Sequence, residues 1–261
     1  MWNGKRVSVV LMTYAERDSI RNVINQFYAT GYVDEVLVID NNAQAGTVEE
    51  VAKTPARLVH EPKQGYGHAT RRGLIEATGD LIVLAEPDGT FLAQDILKLL
   101  VYSAECDVVF ATRTTRELIW ADANMAAFLR WGNWAVAKVI EALYNTSHLS
   151  DVGCTYRLLR SDTARMVADA MTVGGSHAGA EIMLLTIISG VRFVEVPVNY
   201  LPRVGTSSVT GDPLKAVIVG LRMLGLVFKL RRAAPRRFPR PPAFVHPGPH
   251  PDREDDEPRA L

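Results

Sequence analysis

The chain is predicted to be an α/β protein, a mostly parallel sheet flanked by helices, with an amphipathic helix near its C-terminal end. Three observations predict this. Short apolar runs alternate with segments of helical period through the first half of the chain, the pattern of repeated β-α units. Several of these runs are continuously apolar, as expected of strands covered on both faces. Residues 214–230 are nearly all apolar but carry Lys215, Arg222 and Lys229 at intervals of seven, which forms one narrow cationic stripe on a helix.

The elements follow in order. Val7-Ser8-Val9-Val10-Leu11-Met12 reads as the first strand. Residues 16–29 predict a helix, with Ile20, Val23, Ile24 and Phe27 at helical spacing. Val36-Leu37-Val38-Ile39 is a second strand ending at Asp40. Residues 47–53 predict a short helix, 56–60 a short strand, and 67–77 a helix that stops near Gly79. Residues 81–85 are a strand, 94–103 a helix and 108–111 a strand. Such alternation argues a doubly wound sheet.

The second half is less regular. Residues 118–144 predict a long helix rich in Ala and Trp, with a break near Gly132. Residues 155–159 predict a strand, and 162–171 and 180–189 predict helices. Residues 193–200 alternate like a strand, and Pro197 places it at a sheet edge. Eight of the 14 prolines lie beyond Ala233, followed by an acidic cluster from Asp252 to Glu257. The chain therefore divides into a domain over 1–211, a helix over 212–232 and a Pro-rich disordered tail over 233–261.

Composition narrows the function. Lys plus Arg and Asp plus Glu both number 29, so net charge is zero and no global field favours nucleic acid. Cys106 and Cys154 have no CxxC neighbour, which argues against a zinc site or disulfide framework and for buried thiols in a reducing cytosol. No signal-peptide pattern opens the chain, and its longest apolar segment is interrupted by charge, against a spanning helix.

The chemistry gathers at strand ends. Gly79-Asp80 leads into the apolar run, and Glu86-Pro87-Asp88 closes it. Residues i and i+2 of an extended chain share a side, so Glu86 and Asp88 can converge on one cation such as Mg²⁺ or Mn²⁺. The same acids can also cap a strand and start a turn. Thr13, Tyr14 and Glu16 follow the first strand, Asp40, Asn41 and Asn42 the second, and Arg113 the strand over 108–111. Polar groups at successive strand ends predict a pocket on one sheet edge. The loop Lys63-Gln64-Gly65-Tyr66-Gly67-His68 brings a Gly-rich approach to a helix start, which suits an anion. His60, His148 and His177 read as structural.

The ordered set Thr13-Tyr14-Ala15-Glu16, Val38-Ile39-Asp40, Gly65-Tyr66-Gly67, Ala77-Thr78-Gly79-Asp80 and Glu86-Pro87-Asp88 resembles a family 2 glycosyltransferase of the GT-A (Rossmann-like) fold. Asp151-Val152-Gly153-Cys154-Thr155-Tyr156-Arg157, Glu181, Glu195-Val196-Pro197-Val198 and Arg203-Val204-Gly205-Thr206-Ser207-Ser208 resemble its dolichyl-phosphate mannose synthase, or polyprenyl-phosphate glycosyltransferase, branch. The resemblance implies a donor site for a GDP- or UDP-linked sugar at Thr13, Tyr14, Glu16, Asp40, Gly65, Gly67 and Arg113. It implies metal ligation by Glu86 and Asp88 at the family's Asp-x-Asp positions, with Asp88, Asp151 and Arg203 as catalytic residues. Glu86 stands where Asp is usual, Thr90 where Gln is frequent, Ala15 for Asn, and Asn41-Asn42-Ala43 for Asp-Gly-Ser.

A phosphate acceptor is already an anion and needs cations to hold it, whereas a hydroxyl acceptor needs a carboxylate base. Arg130, Arg157 and Arg203 suit the first, with Glu181 and Ser207 as further acceptor contacts, while Asp151 and Glu181 can serve as a base for the second. The expected activity is inverting hexosyl transfer to a polyprenyl phosphate by a protein peripheral on the cytosolic face of a cell-envelope membrane. The cationic-striped helix can lie in a membrane interface or pack as a core or homodimer face. Trp120, Trp131 and Trp134 can be core residues or line the entry of an isoprenoid chain. A soluble transferase with a glycan or polyol acceptor, and a nucleotide-sugar-binding protein without catalysis, are the alternatives.

Overall fold

In a computed structural model that describes residues 1–123, 127–205 and 213–237, the first half alternates strand and helix as expected. The elements are β1 (Val7–Thr13), α1 (Arg17–Ala29), β2 (Glu35–Asp40), α2 (Thr47–Val51), β3 (Arg57–His60), α3 (Tyr66–Glu76), β4 (Leu81–Ala85), α4 (Ile96–Tyr102) and β5 (Val108–Thr112). Then come α5 (Ala127–Tyr144), β6 (Arg157–Arg160), α6 (Ser161–Ala170), α7 (Ala178–Ile188), β7 (Phe193–Pro197) and α8 (Pro213–Arg237).

The seven strands form one sheet in the order β3-β2-β1-β4-β6-β5-β7. All pairs are parallel except those of β6, which runs antiparallel between β4 and β5. Thr13 pairs with Asp40, and Asp40 with His60, so the C-terminal ends of β1, β2 and β3 lie level. β6 begins at this same edge, because Arg157 pairs with Leu84 and Phe110.

Both faces of the sheet are covered, which explains the unbroken apolar runs. Val7, Val9, Leu11, Val83 and Ala85 pack with Ile20, Ile24 and Phe27 of α1 on one side. Val10, Met12, Ile82 and Leu84 pack with residues of α3, α5, α6, α7 and α8 on the other. No charged side chain occurs within β4, so ionisable groups at its end project from the edge.

Three expectations are revised. The helix over 118–144 does not form as one piece: Arg116–Leu118 is a single 3-10 turn. Tyr200 N donates to Leu118 O at 2.9 Å and Trp120 N to Tyr200 O at 3.0 Å, which commits this stretch to a crossing chain. Gly132 lies inside α5 and does not break it. Finally, α8 continues past Ala233 to Arg237, into the stretch read as tail. β7 does lie at the sheet edge, as Pro197 suggests.

The Gly-rich loop is placed by close backbone approach. Gly67 N donates to Gly174 O at 2.9 Å. A Cβ on Gly67 would stand 2.0 Å from Val173 O, and one on Gly65 would stand 2.3 Å from Gly174 O. Gly65 has φ +139°, a conformation open to few other residues. The predicted glycines therefore let the start of α3 dock on residues 173–174. Gly67→Ala should cost about 1–3 kcal/mol through overpacking. Gly132→Ala, with nothing within 4 Å of the added carbon, should gain about 0.5–1 kcal/mol from helix propensity. Urea denaturation of the two variants checks the contrast.

Candidate active site

The end of β4 carries two acids on one arginine. Glu86 is 25% exposed and Asp88 is fully buried. Arg203 Nη2 lies 3.0 Å from Glu86 Oε2 and 2.6 Å from Asp88 Oδ2. Its chain segment is held against the acid turn by Leu201 N donating to Thr90 O at 2.9 Å and Val204 N donating to Asp88 O at 2.9 Å. Ser19 Oγ of α1 donates to Pro87 O at 2.6 Å, fixing the middle of the motif.

The two oxygens of Asp88 differ. Oδ1 accepts from Thr90 N at 2.9 Å and from Thr90 Oγ1 at 2.6 Å. Oδ2 is buried and close to Arg203, but the angle of that ion pair makes no hydrogen bond. A buried carboxylate oxygen with an unused lone pair fits a hard divalent cation. Burial, then the nearby Asp88 charge, push the Glu86 carboxyl well above the ordinary carboxylate range, with Arg203 and Arg113 opposing. Burial alone would lower the Arg203 pKa, but Asp88 and Glu86 outweigh it and hold the guanidinium charged.

Arg113, just past β5, forms the second cationic wall. Its Nε and Nη2 donate to Asp151 Oδ2 and Oδ1 at 2.8 and 3.0 Å. Asp151 Oδ2 also accepts from Arg113 N at 3.1 Å, and Oδ1 from Gly153 N at 3.1 Å. Burial would raise the Asp151 pKa, but the charge and hydrogen bonds of Arg113 overcome it and leave it below the usual value. Asp151 is fully buried. Its carboxylate orients Arg113 and has no open path along which to deprotonate an acceptor. Arg113 also stacks its cation 5.2 Å from the centre of the Tyr200 ring.

The predicted donor edge is assembled at the ends of β1 and β2. Glu16 Oε2 accepts from Tyr14 N at 2.7 Å, Ala15 N at 2.9 Å and Thr13 Oγ1 at 3.2 Å, so it shapes the loop from within. Tyr14 stays exposed. Asp40 Oδ1 accepts from Ala43 N at 2.7 Å, and Oδ2 lies 3.1 Å from His60 Nδ1. Asn41 joins this edge to the Gly-rich loop: Nδ2 donates to Glu61 O and Lys63 O at 2.9 Å, and Oδ1 accepts from Gly65 N at 2.8 Å.

The predicted acceptor residues separate. Arg130 lines a cavity of about 590 Å³ with Thr112, Thr114, Trp131, Trp134, His148 and Glu195. Trp131 and Trp134 meet edge to face at 5.5 Å and remain exposed. Arg157 is elsewhere, 1% exposed. It donates to Cys154 O at 2.8 Å, Val152 O at 3.1 Å and Gly179 O, so it ties loop 152–154 to α7 and cannot bind an acceptor. Glu181 is likewise buried, accepting from Thr172 N and Val173 N at 2.9 Å and Thr172 Oγ1 at 2.7 Å. It secures the turn after α6 and is not a base. Ser207 and the side chain of Lys215 lie outside the described residues.

Two groups escaped sequence reasoning. Glu195 Oε2 accepts from Ser150 Oγ at 2.6 Å and Oε1 from Asp151 N at 3.1 Å, while Ser150 Oγ lies 2.8 Å from Thr112 Oγ1. Burial pushes the Glu195 carboxyl upward against these hydrogen bonds. The available signal was its period-two alternation with Pro197 on β7. His148, read as structural, lines the cavity instead.

Comparison with known proteins identifies the family and the fold. Residues 8–165, more than half the chain, match the model of the family described as Glycosyl transferase family 2. An uncharacterized glycosyltransferase of Mycobacterium tuberculosis is 28% identical, covering 84% of this chain and 95% of that protein. An undecaprenyl-phosphate mannosyltransferase of Micrococcus luteus is 25% identical over 85% of this chain and 94% of its own. A dolichyl-phosphate hexose transferase of Haloferax volcanii is 26% identical over 79% and 87%. Among solved structures, glucosyl-3-phosphoglycerate synthase from Mycobacterium tuberculosis, in complex with Mn²⁺, UDP and glucosyl-3-phosphoglycerate, superposes with a TM-score of 0.67 at 16% identity, covering 87% of this chain and 80% of that one.

The Arg113–Asp151 pair makes a stability prediction. Asp151→Asn leaves a largely buried guanidinium without its counter-charge and should cost about 3 kcal/mol at neutral pH. A carboxylate with a depressed folded pKa contributes stability above its unfolded value near 4 and loses it as pH falls through the folded value. The gap between wild type and Asp151→Asn, measured by denaturant titration, should therefore be full at pH 7 and narrow only below about pH 4.

Proposed function

The chain belongs to glycosyl transferase family 2, and on that premise we propose that it moves a hexose from a GDP- or UDP-linked sugar to a polyprenyl phosphate at a membrane surface. That it is a glycosyltransferase follows from its family and relatives; the donor and acceptor are the proposed part. The observation that carries the reading is the junction of two sites on one sheet edge. Arg113 lies near enough to Glu86 to act on its ionisation, while the residues on either side of Arg113, Thr112 and Thr114, line the cavity that holds Arg130.

Each residue then has a task. Tyr14, Glu16 and Asp40 border the nucleobase and ribose. Asp88 and Glu86 would hold a divalent cation, Mg²⁺ or Mn²⁺, which when bound would supply Lewis-acid stabilisation to the leaving diphosphate. Thr90 fixes one oxygen of Asp88 and leaves the other for this role. Arg113 and Arg203 neutralise charge that grows on the diphosphate as the glycosidic bond breaks, and Asp151 keeps Arg113 aimed. Arg130 holds the acceptor phosphate so that it attacks the anomeric carbon from the opposite face, with inversion. No base is needed, in keeping with the full engagement of Asp151 and Glu181 by their hydrogen bonds. Relatives named for undecaprenyl and dolichyl phosphate support this acceptor class.

The surface around the cavity suits a lipid. Exposed Trp131 and Trp134 adjoin it. α8 packs on α5 and α7, with Met223, Leu226, Val227 and Leu230 buried, and Tyr144 Oη donates to Val227 O at 2.8 Å. This buries one face as core. Leu214, Val217, Ile218, Leu221 and Phe228 stay exposed together with Arg222 and Lys229. Apolar groups beside cations suit a peripheral position in a membrane interface. Among the described residues no helix is long and apolar enough to cross a membrane.

A hydroxyl acceptor has one observation in its favour: Glu195 is a carboxylate in the cavity wall whose proton affinity is raised. Phase partition decides between the two. Radiolabelled GDP- and UDP-hexoses should yield organic-phase product only when polyprenyl phosphate is added. Acceptor-dependent product confined to water would overturn the lipid reading. Asp88→Asn should lower kcat about 100- to 1,000-fold. Arg130→Ala should raise KM for the lipid about tenfold or more, with little change in KM for the donor.

A further inference from the structure

We propose that Arg203 is an internal counter-ion of the cation site, displaced only when a divalent ion and a diphosphate arrive together. The inference rests on the assignment of Asp88 and Glu86 to that site. One nitrogen, Arg203 Nη2, lies 2.6 Å from Asp88 and 3.0 Å from Glu86, so the guanidinium occupies the space between the two carboxylates that would hold the cation. Like charges at such separations repel strongly where solvent is excluded, and Asp88 is fully buried. Metal and guanidinium therefore compete for the same oxygens.

The geometry also lets the guanidinium leave. Its contact with Asp88 Oδ2 has no hydrogen-bond direction to lose, and the bond it gives up is the one Nη2 donates to Glu86 Oε2 at 3.0 Å. Its backbone need not move, because Leu201 N and Val204 N are tied to Thr90 O and Asp88 O on either side of it. Only the side chain has to rotate away. A guanidinium turned out of an acid pair needs another anion, and a diphosphate matches its planar fork. Diphosphate binding thus removes the internal cation from the acids, and metal binding frees the guanidinium for the diphosphate. By linkage, each ligand raises the affinity for the other by the same factor. The resting site resists metal alone, and its two acids remain charge-compensated between turnovers.

Mn²⁺ binding, followed by electron paramagnetic resonance and calorimetry, tests this on the full chain. Wild type, Arg203→Gln and Arg203→Lys are titrated without nucleotide and with saturating UDP or GDP, after subtraction of the Mn²⁺–nucleotide equilibrium. Without nucleotide, Arg203→Gln should bind Mn²⁺ roughly tenfold or more tightly than wild type, while Arg203→Lys, which keeps the charge, stays near it. Nucleotide should strengthen Mn²⁺ binding more in wild type than in Arg203→Gln. Equal or weaker binding by Arg203→Gln, in a protein whose wild type binds Mn²⁺ with nucleotide, would overturn the exchange and leave the cation site standing. Absence of Mn²⁺ binding in all three proteins under both conditions would overturn both. Should Arg203→Gln not fold, wild type decides alone, because an Mn²⁺ affinity unaltered by UDP and GDP contradicts the coupling.

Discussion

β4 has no room for charge. Every one of its residues is buried, with side chains packed alternately into the cores on the two sides of the sheet. Ionisable groups can appear only where it ends, and there Glu86 and Asp88 converge. Two acids so close, one of them fully buried, would repel each other without a counter-charge. Arg203 supplies it from a segment 117 residues further on. Much of the site follows from this need. The segment over 200–204 is stitched to the acid turn, and its Tyr200 in turn pairs with Phe91 and Ile119 and stacks against Arg113.

A second layer of buried charge supports the first. Arg113 is held by Asp151, and the Asp151 backbone is held by Glu195. Glu195 sits on the edge strand β7, which pairs directly with β5. A carboxylate on the outermost strand thereby fixes the loop that aims an arginine at the centre of the site. The antiparallel insertion of β6 makes room for this. It starts where its parallel neighbours end, so the loop over 150–156 arrives at the functional edge rather than at the far one. Arg157 then secures that loop from below through backbone carbonyls.

Residues that chemistry singles out in a sequence can thus have structural work in the fold. Arg157 and Glu181 are the right types to bind a phosphate or take a proton, yet each is buried against backbone groups that would otherwise lack partners. Gly65 and Gly67 suit a ligand cradle by sequence, yet the groups nearest to them are carbonyls of residues 173–174. The side-chain chemistry of Arg157 and Glu181 was legible and their surroundings were not. Glu195 is the opposite case. It stood in a motif without a role, and the pairing of β5 with β7 brought it to the cavity.

Local pattern alone determined the β-α order of the first half, the polar residues at its strand ends and the edge position of β7. Those features depend on periodicity, burial and a missing N–H, all of which are read over a few consecutive residues. Only the tertiary structure decided the antiparallel placement of β6, the division of the 118–144 stretch, the role of Arg113 as partner of Asp151, and the seating of Arg203 on both acids. Each of these depends on groups far apart in the chain. Which buried charge finds which partner is set by strand order and loop approach, and a single sequence does not carry that information in its spacing.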